Sequence, residues 1–485
     1  MYEQSQFFIG GKWTAPEGQS TITVLNPSTE EPSSSFIDGT NADMDKAVDA
    51  ARAAFDFGPW PRMTPGERGA ILAAAAVRLR AYNEEMAYAL TGEMGSPIAQ
   101  STGAQMPVTV DLFEYYASLA SQFTWESRRP TYDAANQDYD IVVRGEPVGV
   151  VAAIVPWNGP QIVAAMKLGP ALLAGCTVIL KPSPEATLNF LRFADAFHEA
   201  GLPAGVLNIV PAGREVGEYL VTHPRIDKVT FTGSPAAGRR IGALCGERIR
   251  RCTLELGGKS AAILLPDVDV ASTVPNLVGP MMFISGQACN AQTRILAPRS
   301  RYEEVIDAMV ATVEGVPYGD PYDMNTFVGP LASKAQLDRV TGYLELAKQE
   351  GAKAVIGGGR PKDFTKGYYV EKTVFRDVDN SMRIAQEEIF GPVYVVIPYD
   401  DVDNAVDIAN DSVYGLAGSV WTADEVAGLE VAKRLRAGSL GVNFYSLDCA
   451  APFGGFKGSG IGRERGTEGI LPFLETKSIL VRKGS

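Results

Sequence analysis

The chain has 485 residues, of which 46% are hydrophobic and 21% are charged. This length predicts roughly two or three domains, and no apolar run approaches the roughly 18 residues that a membrane-spanning helix needs. The 57 acidic and 44 basic residues give a formal net charge of −13, spread along the chain. This balance argues against nucleic acid and membranes as partners.

The cysteines and histidines are too few for a zinc site or a histidine-based catalytic triad. The sequence has five cysteines without a CxxC pair, and its two histidines are His198 and His223. An odd cysteine count without regular spacing favours a reducing compartment over a disulfide framework. The amino-terminal stretch MYEQSQFFIGGKW lacks the basic and long apolar regions of a signal peptide. We therefore expect a cytoplasmic protein without a metal.

Predicted helices come first along the chain, and alternating strands and helices follow. Residues 45–56 and 65–90 carry apolar residues at helical spacing. From residue 148 onward, short apolar runs alternate with helical stretches, which indicates a parallel sheet covered on both faces. A second alternating stretch begins after about residue 258. The pattern predicts two doubly wound α/β domains.

Residues 125–147 interrupt the first of these domains. They are polar and partly alternating, which is typical of an extended ribbon. An arm that reaches a neighbouring subunit and an ordinary surface hairpin both fit this pattern. The sequence leaves both interpretations open.

Three places directly after strand-like runs are candidates for ligand binding, because open parallel sheets bind ligands beyond the carboxyl ends of their strands. Asn158 follows the run AAIV, and Lys181 follows CTVIL. The turn GSPAAG at 233–238 opens a predicted helix, whose first N–H groups favour a phosphate. Taken alone, Lys181 is better explained as a lysine at the edge of the sheet, and a plain helix start explains the turn as well as a phosphate site does. GIGRERG at 460–466 misses the third glycine of a dinucleotide fingerprint and follows no strand, so we do not interpret it as a site.

Glu255 and Cys289 are candidates for chemistry. Glu255 lies between two leucines, and such an apolar setting raises a carboxyl pKa toward neutrality, which suits a general base as well as a structural carboxylate. Cys289 lies in SGQACNAQTR, which is too polar for a core strand. Only its thiolate form would be nucleophilic, so a nearby base or dipole has to assist it.

Several motifs follow one another in a familiar order. They are NPSTEE (26–31), PWNGP, KLGPALLAG, LKPS, FTGS, LELGGKS, GQACNAQTR, EEIFGPV (387–393) and PFGGFKGSGIGRERG (452–466). Over essentially its whole length the sequence resembles the aldehyde dehydrogenase superfamily, in its hydrolytic, NAD(P)-dependent form. The resemblance implies oxidation of a small-molecule aldehyde to the carboxylic acid.

The resemblance also implies how the chain is divided. A Rossmann-like cofactor-binding domain would comprise 1–124 and 148–256, and a catalytic domain 257–445. Residues 446–469 would return to the cofactor domain. A small β arm for oligomerisation would comprise 125–147 and 470–485, in a homodimer or homotetramer.

For catalysis, the resemblance implies that Cys289 is the nucleophile and forms a thiohemiacetal and then a thioester. Asn158 and the Cys289 backbone N–H would form the oxyanion hole, and Glu255 would activate the hydrolytic water. Lys167 and Glu464 match residues that relay protons to and from the general base. A buried structural ion pair explains those two equally well.

The expected cofactor is NAD, with NADP as the open alternative. Family members strict for NAD have Lys-Pro-x-Glu, whereas this chain has Pro184 at the glutamate position and Glu185 one residue later. The residues expected to contact the cofactor are Pro156, Trp157, Lys181, Ser183, Glu185, Gly213, Gly217, Phe231, Gly233, Ser234, Leu256, Gly257, Glu388 and Phe390.

The residues expected at the substrate entrance are Phe113, Tyr116, Trp157, Gln287, Asn290 and Phe453. Their character suggests an apolar aliphatic or aromatic aldehyde. Two other functions fit the same fold: an acylating enzyme that passes the acyl group to coenzyme A, and a non-catalytic structural or binding protein. The acylating type generally lacks the glutamate present as Glu255, and a non-catalytic protein would be expected to lose Cys289, Glu255 or Asn158.

Overall fold

The computed structural model describes residues 2–483. Its strands are β1 (Tyr2–Gln4), β2 (Phe7–Ile9), β3 (Lys12–Thr14), β4 (Thr21–Leu25), β5 (Pro32–Ile37), β6 (Glu126–Pro130), β7 (Tyr139–Pro147), β8 (Val150–Ile154), β9 (Thr177–Lys181), β10 (Leu207–Ile209), β11 (Lys228–Thr232), β12 (Arg251–Glu255), β13 (Ala261–Leu264), β14 (Arg294–Pro298), β15 (Lys353–Ile356), β16 (Thr373–Arg376), β17 (Val393–Tyr399), β18 (Ala417–Trp421), β19 (Ser439–Val442), β20 (Gly460–Ile461) and β21 (Leu474–Arg482).

Its α-helices are α1 (Asn41–Asp56), α2 (Pro65–Ala81), α3 (Asn83–Met94), α4 (Ile98–Gln100), α5 (Met106–Leu119), α6 (Pro160–Ala174), α7 (Asn189–Glu199), α8 (Arg214–Thr222), α9 (Pro235–Glu247), α10 (Val270–Met281), α11 (Tyr302–Gly315), α12 (Lys334–Gln349), α13 (Arg383–Gln386), α14 (Val402–Asn410) and α15 (Glu425–Lys433). A π-helical segment, Ser101–Gln105, joins α4 to α5. Among the described residues, no helix has the length and apolar character needed to cross a membrane.

The first helices begin where local capping predicts. Thr40 and Asp43 form a reciprocal capping box at the start of α1, and Thr64 and Glu67 form another at the start of α2. The helical pattern over 65–90 is two helices rather than one. Tyr82 adopts φ −90° and ψ 5°, which ends α2, and its carbonyl then accepts the first hydrogen bond of α3.

The first large sheet has eight strands in the order β20-β12-β11-β8-β9-β10-β2-β3. Its five central strands are parallel, and successive residues of β8 face opposite sides. Val150 and Ala152 pack with α1, α8 and α9, whereas Val151 and Ala153 pack with α2, α5, α6 and α7. Helices therefore cover both faces, as the alternating pattern predicts.

The second large sheet has seven strands in the order β15-β16-β17-β14-β13-β18-β19. All neighbouring pairs are parallel except β15 with β16. Ala261 and Ile263 face α12, α14 and α15, and Ala262 and Leu264 face α10 and α11. The molecule thus contains two doubly wound α/β units, and the predicted fold class is confirmed.

Two small sheets complete the fold. The ribbon predicted over 125–147 is a hairpin of β6 and β7, and β21 pairs along the whole of β7. Near the amino terminus, β1, β5 and β4 form a separate three-stranded sheet. The exact domain boundaries remain a prediction; residue 1 of the first domain and residues 484–485 of the arm lie outside the described residues.

Candidate active site

The candidate site lies where neighbouring strands of the eight-stranded sheet end. Because β8, β9, β11 and β12 are parallel, their carboxyl ends share one edge. Asn158 follows β8, Lys181 ends β9, Ser234 follows β11 and Glu255 ends β12. These four residues therefore gather at the edge of the sheet where open parallel sheets bind ligands.

Cys289 lies in the segment between α10 and β14, which comes from the second α/β unit. Ile284 and Ser285, which precede Gly286, adopt left-handed conformations with φ 45° and 59°. The chain therefore turns sharply ahead of the cysteine. Burial raises the pKa of the Cys289 thiol to about 12, and the carboxyl groups of Glu388 and Glu255 add to the increase. Nearby backbone N–H groups oppose it.

Asn158 connects the first sheet to this segment. Its side-chain nitrogen Nδ2 donates a hydrogen bond of 2.9 Å to the backbone oxygen of Gln287. The Gln287 side chain is buried, donates to the Ile284 carbonyl and accepts from the Ala332 N–H. Gln287 therefore holds the loop in place, and the predicted contact of its side chain with substrate has no support from this geometry.

Glu255 is a buried carboxyl group with 2% exposure. Among the described residues, neither of its side-chain oxygens has a hydrogen-bond partner. Burial raises its pKa well above the usual range, and the neighbouring Glu464 raises it further, whereas Lys167 and Arg463 lower it. Such a setting favours the protonated carboxyl group over the carboxylate and makes the carboxylate a stronger base once the proton leaves.

Lys167 and Glu464 form a buried ion pair beside this carboxyl group. Lys167 Nζ lies 2.5 Å from Glu464 Oε1, and the two side chains are 0% and 2% exposed. Lys167 also donates to Thr232 Oγ1 at 2.8 Å, and Thr230 Oγ1 donates to Glu464 Oε1 at 3.3 Å. The second Glu464 oxygen, Oε2, is buried without a partner among the described residues. The geometry fits both a structural pair and a proton relay.

Lys181 is held at the other end of the sheet edge. Its Nζ donates to the carbonyl oxygens of Ala212 at 2.6 Å and Pro182 at 2.9 Å. Burial lowers its pKa to about 8, which the negative charge of Glu185 opposes. Ser183 donates a hydrogen bond to the Glu185 carboxylate, whose charge is near enough to act on the lysine. The third ammonium proton remains for a ligand oxygen.

The amino end of α9 lies at the same edge of the sheet as these side chains. Ser234 caps the helix by accepting from the Ala237 N–H at 3.3 Å, and Pro235 occupies the first turn. A Cβ atom on Gly238 would lie 2.4 Å from a methyl carbon of Leu256. Glycine therefore lets α9 pack closely on β12, which is what the third glycine of a dinucleotide fingerprint does.

The remaining predicted cofactor residues surround this edge. Gly213 directly precedes α8, and Gly217 lies in its first turn with the Lys181 side chain against it. Phe231 is buried near the end of β11, and its ring lies against Gly233. Pro156 follows β8 and is partly buried. Their positions fit a dinucleotide at the sheet edge, and their contacts with one stay a prediction.

Glu388 and Phe390 reach the site from the second α/β unit. Glu388 Oε1 accepts a hydrogen bond of 2.9 Å from the Gly258 N–H, and burial raises its pKa to about 6. Phe390 has a left-handed φ of 68° and packs edge-to-face on Trp157, with 5.5 Å between the ring centroids. These residues close the space between the two units near Cys289.

A cavity of about 510 Å³ opens beside the cysteine. Ala288 and Asn290, which flank Cys289 in the chain, both line the cavity, so the cavity adjoins the segment that carries the cysteine. Its other main walls are Ala104, Val108, Ile162, Phe283, Phe327, Phe444, Tyr445, Leu447 and Arg465. Only Asn290 among the predicted substrate residues lies in this wall.

The other predicted aromatic residues lie elsewhere. Phe113 is fully buried and packs on Phe193 and Phe197 in the first core. Tyr116 is also fully buried in that core, and Phe453 pairs through its backbone with Glu464. These three side chains belong to the packing behind the site. The residues that form the wall come from many distant parts of the chain and carry no common sequence signal.

The fold and the site together define a two-unit α/β protein in which a cysteine, an amide and a buried carboxyl group meet at the edge of a dinucleotide-type sheet. The family model for the aldehyde dehydrogenase family matches residues 13–479. The chain belongs to the aldehyde dehydrogenase family, and its class is that of an oxidoreductase that acts on aldehydes.

Individual relatives match over almost the whole length. The chain is 44% identical over 477 residues to geranial dehydrogenase of Castellaniella defragrans, covering 98% of both chains. It is 38% identical to mitochondrial aldehyde dehydrogenase of Homo sapiens, covering 99% of this chain and 92% of that one.

Two solved structures also match over almost the whole length. An aldehyde dehydrogenase of Mycobacterium tuberculosis complexed with NAD+ is 47% identical with a TM-score of 0.97, covering 100% of this chain and 99% of that chain. A mutant of aldehyde dehydrogenase C from Pseudomonas syringae, complexed with NAD+ and octanal, is 41% identical with a TM-score of 0.94, covering 98% and 96%.

Proposed function

We propose that this protein oxidises an aldehyde to the carboxylic acid with NAD+, through a covalent intermediate on Cys289. The observation that carries this proposal is the meeting of Cys289, the Asn158 amide and the buried Glu255 at one edge of the sheet. The solved relatives from M. tuberculosis and P. syringae hold NAD+, which supports the choice of cofactor.

In the first step, Glu255 accepts the proton of the Cys289 thiol, the resulting thiolate attacks the aldehyde carbon, and the carbonyl oxygen becomes an oxyanion. Asn158 Nδ2 uses one proton to hold the Gln287 carbonyl, which leaves its second proton for the oxyanion. The Cys289 backbone N–H is the second donor. Preorganised donors of this kind lower a barrier by roughly 3 kcal/mol each.

When bound, NAD+ supplies the acceptor for the hydride that leaves the tetrahedral carbon. The chain's contribution is to hold the dinucleotide, with Lys181 toward the adenosine ribose and the amino end of α9 toward the pyrophosphate. Glu388 and Phe390 would position the nicotinamide half. Loss of the hydride converts the intermediate on Cys289 into a thioester.

In the last step, Glu255 removes a proton from water, the water oxygen attacks the thioester carbon, and Cys289 leaves as the thiolate. Glu255 must first lose the proton that it already carries. The carboxylate of Glu464 acts on the charge of Glu255, and its Oε2 atom has no hydrogen-bond partner among the described residues. Lys167 and Glu464 would carry that proton away from the site. The products are the free acid and a regenerated cysteine.

We propose NAD over NADP because of Glu185. Its carboxylate lies beside Lys181, where a 2′-phosphate of NADP would meet a second negative charge. A Glu185→Gln variant should therefore raise the ratio of NADP to NAD turnover. An unchanged ratio would leave the choice of cofactor to other residues.

A homodimer or homotetramer is proposed from the exposed edge of the small sheet. Strand β21 is an outer strand of the sheet β21-β7-β6, and its Ile479 and Leu480 are 41% and 68% exposed. Exposed apolar strand edges favour pairing with another chain.

We also propose the cytoplasm as the location, because all five cysteines are free thiols and reducing compartments keep thiols free.

The covalent mechanism is tested by two variants in stopped-flow absorbance of NADH. Wild type should show a burst or a steady release of NADH, and Cys289→Ser should show neither. Glu255→Gln should keep the first turnover and slow the steady state by about 10²–10⁴-fold, the usual effect of losing a general base. A Cys289→Ser variant with normal turnover would contradict the assignment of the nucleophile.

Product analysis separates hydrolysis from transfer to coenzyme A. The presence of Glu255 favours free acid, with or without coenzyme A in the assay. Formation of acyl-CoA in excess of free acid would show that the acylating alternative is correct. If no aldehyde led to reduced cofactor with either NAD+ or NADP+, a non-catalytic protein would be favoured.

A further inference from the structure

Arg465 is a charged residue in the wall of the cavity beside Cys289. It directly follows Glu464 and adopts a left-handed backbone conformation with φ 59°. The residue is 2% exposed and lines the same cavity as Ala288 and Asn290. Non-glycine residues in this conformation are uncommon and concentrate at functional sites.

The guanidinium group of Arg465 is buried and forms no salt bridge among the described residues. Its Nε and Nη1 atoms have no hydrogen-bond partner among residues 2–483. The carboxylate of the adjacent Glu464 favours the arginine charge, but its Oε1 accepts hydrogen bonds from Lys167 and Thr230. Other groups that act on the arginine charge are Cys449, Tyr116 and Tyr445, which are neutral at physiological pH.

A buried arginine in this state is unfavourable for the protein alone. Incomplete compensation of a buried charge and unmade charged hydrogen bonds both destabilise a fold. A ligand carboxylate would satisfy both, because the planar guanidinium group offers two parallel N–H donors to a carboxylate.

The rest of the wall indicates the chemical character of the spacer that would connect such a carboxylate to the aldehyde group of a substrate. The side chains of Ile162, Phe283, Phe444 and Leu447 line the cavity, and they are apolar. A flexible or aromatic hydrocarbon spacer fits this surface, whereas a second charge or a row of hydroxyl groups would lose hydration.

We propose that Arg465 binds the distal carboxylate of the substrate, so that the preferred substrates are aldehydes with an apolar spacer and a carboxylate at the far end. This inference rests on the proposed aldehyde oxidation and specifies its substrate class. Arg465 is then a determinant of specificity that takes no part in the chemical steps.

The experiment compares ω-carboxy aldehydes with their methyl esters over a series of spacer lengths. Each pair has the same aldehyde group and spacer, and differs in the distal charge. kcat/KM is measured with NAD+ for wild type, Arg465→Leu, Arg465→Lys and the surface variant Arg299→Leu. Arg299 is exposed and pairs with Asp400, so its variant controls for the loss of one positive charge.

Wild type should prefer the acid over the ester at its best spacer length. Arg465→Leu should lower kcat/KM for the acid by between about tenfold and a hundredfold, the range for a lost charged hydrogen bond, and should leave the ester value within about threefold of wild type. Arg465→Lys should restore part of the preference, and Arg299→Leu should keep all of it. Unchanged ester turnover also shows that Arg465→Leu is folded.

Two results would overturn the inference. One is a wild-type enzyme that oxidises the ester at least as well as the acid at every length. The other is an equal loss for acid and ester in Arg465→Leu, which would indicate a structural role. Failure of the proposed function looks different, because then neither acid nor ester reduces NAD+ in wild type.

Discussion

Separate replacement of Lys167 and Glu464 should shift the pH dependence of turnover in opposite directions. Glu464 raises the pKa of Glu255, and Lys167 lowers it. A general base works only when deprotonated, so activity rises with pH through its pKa. Lys167→Met should therefore move the rising limb of the kcat–pH profile to higher pH, and Glu464→Gln should move it to lower pH.

The same variants should reduce stability because the pair is almost completely buried. The two atoms lie 2.5 Å apart with side-chain exposures of 0% and 2%. Removal of one partner leaves the other as an uncompensated buried charge, which costs about 3–5 kcal/mol. The double variant Lys167→Met/Glu464→Gln leaves no lone charge and should recover at least about 2 kcal/mol relative to the sum of the single losses.

The assays are urea unfolding for the free energy of unfolding, and steady-state NADH absorbance from pH 5 to pH 9 with saturating substrate. Lys228→Met is a matched control. Lys228 is also buried, donates to Thr253 Oγ1, and has a pKa lowered to about 8 by burial. It should lose stability without a shift of the profile. Stability losses with no opposite shifts in the profiles would show that the pair is structural only.

Three further predictions concern other parts of the chain. Gly257→Ala would place a Cβ 2.5 Å from a Glu388 carboxylate oxygen. Because the Glu388 side chain can move away, the urea midpoint should change little. The displaced side chain would hold the cofactor less well, so we expect the KM for NAD+ to rise on the order of tenfold. Burial raises the pKa of Glu93 to about 7, so stability should fall as pH rises from the unfolded value near 4.5 to about 7. Glu93→Gln should remove this decline, which is on the order of 3 kcal/mol, when urea midpoints at pH 5 and pH 7.5 are compared. Ile479→Glu/Leu480→Glu should lower the particle mass in light scattering if β21 pairs between subunits, and an unchanged mass would place the interface elsewhere.

The sequence predicts the parts of this molecule that depend on local order. Apolar runs separated by helical stretches predict both parallel sheets, because a strand buried on two faces needs apolar residues at every position. Once the strands are placed, chain direction alone puts Asn158, Lys181 and Ser234 at one sheet edge. The break at Tyr82 lacks glycine and proline, so helical spacing does not reveal it.

The walls of the cavity depend on contacts between distant segments, and sequence order does not encode these directly. Phe113 and Phe283 are both aromatic residues on or beside apolar helices, yet the first is in the core and the second lines the cavity. Arg465 follows the predicted relay residue Glu464, and its burial results from packing against parts of the chain hundreds of residues away. Composition assigns such an arginine to the surface.

The charges around Cys289 suggest how the two halves of the proposed reaction are kept in order. Burial, Glu388 and Glu255 all raise the pKa of the Cys289 thiol. If both carboxyl groups were ionised, a thiolate on Cys289 would be a third negative charge in one buried space, which is unfavourable. Burial and Glu464 raise the pKa of Glu255 in turn, which favours a proton on Glu255 while the sulfur is charged. Formation of the thioester removes the charge from the sulfur, and the ionised form of Glu255 then becomes less unfavourable. Under the proposed mechanism, the base therefore becomes available at the step that needs it, and this order follows from electrostatics without any moving segment.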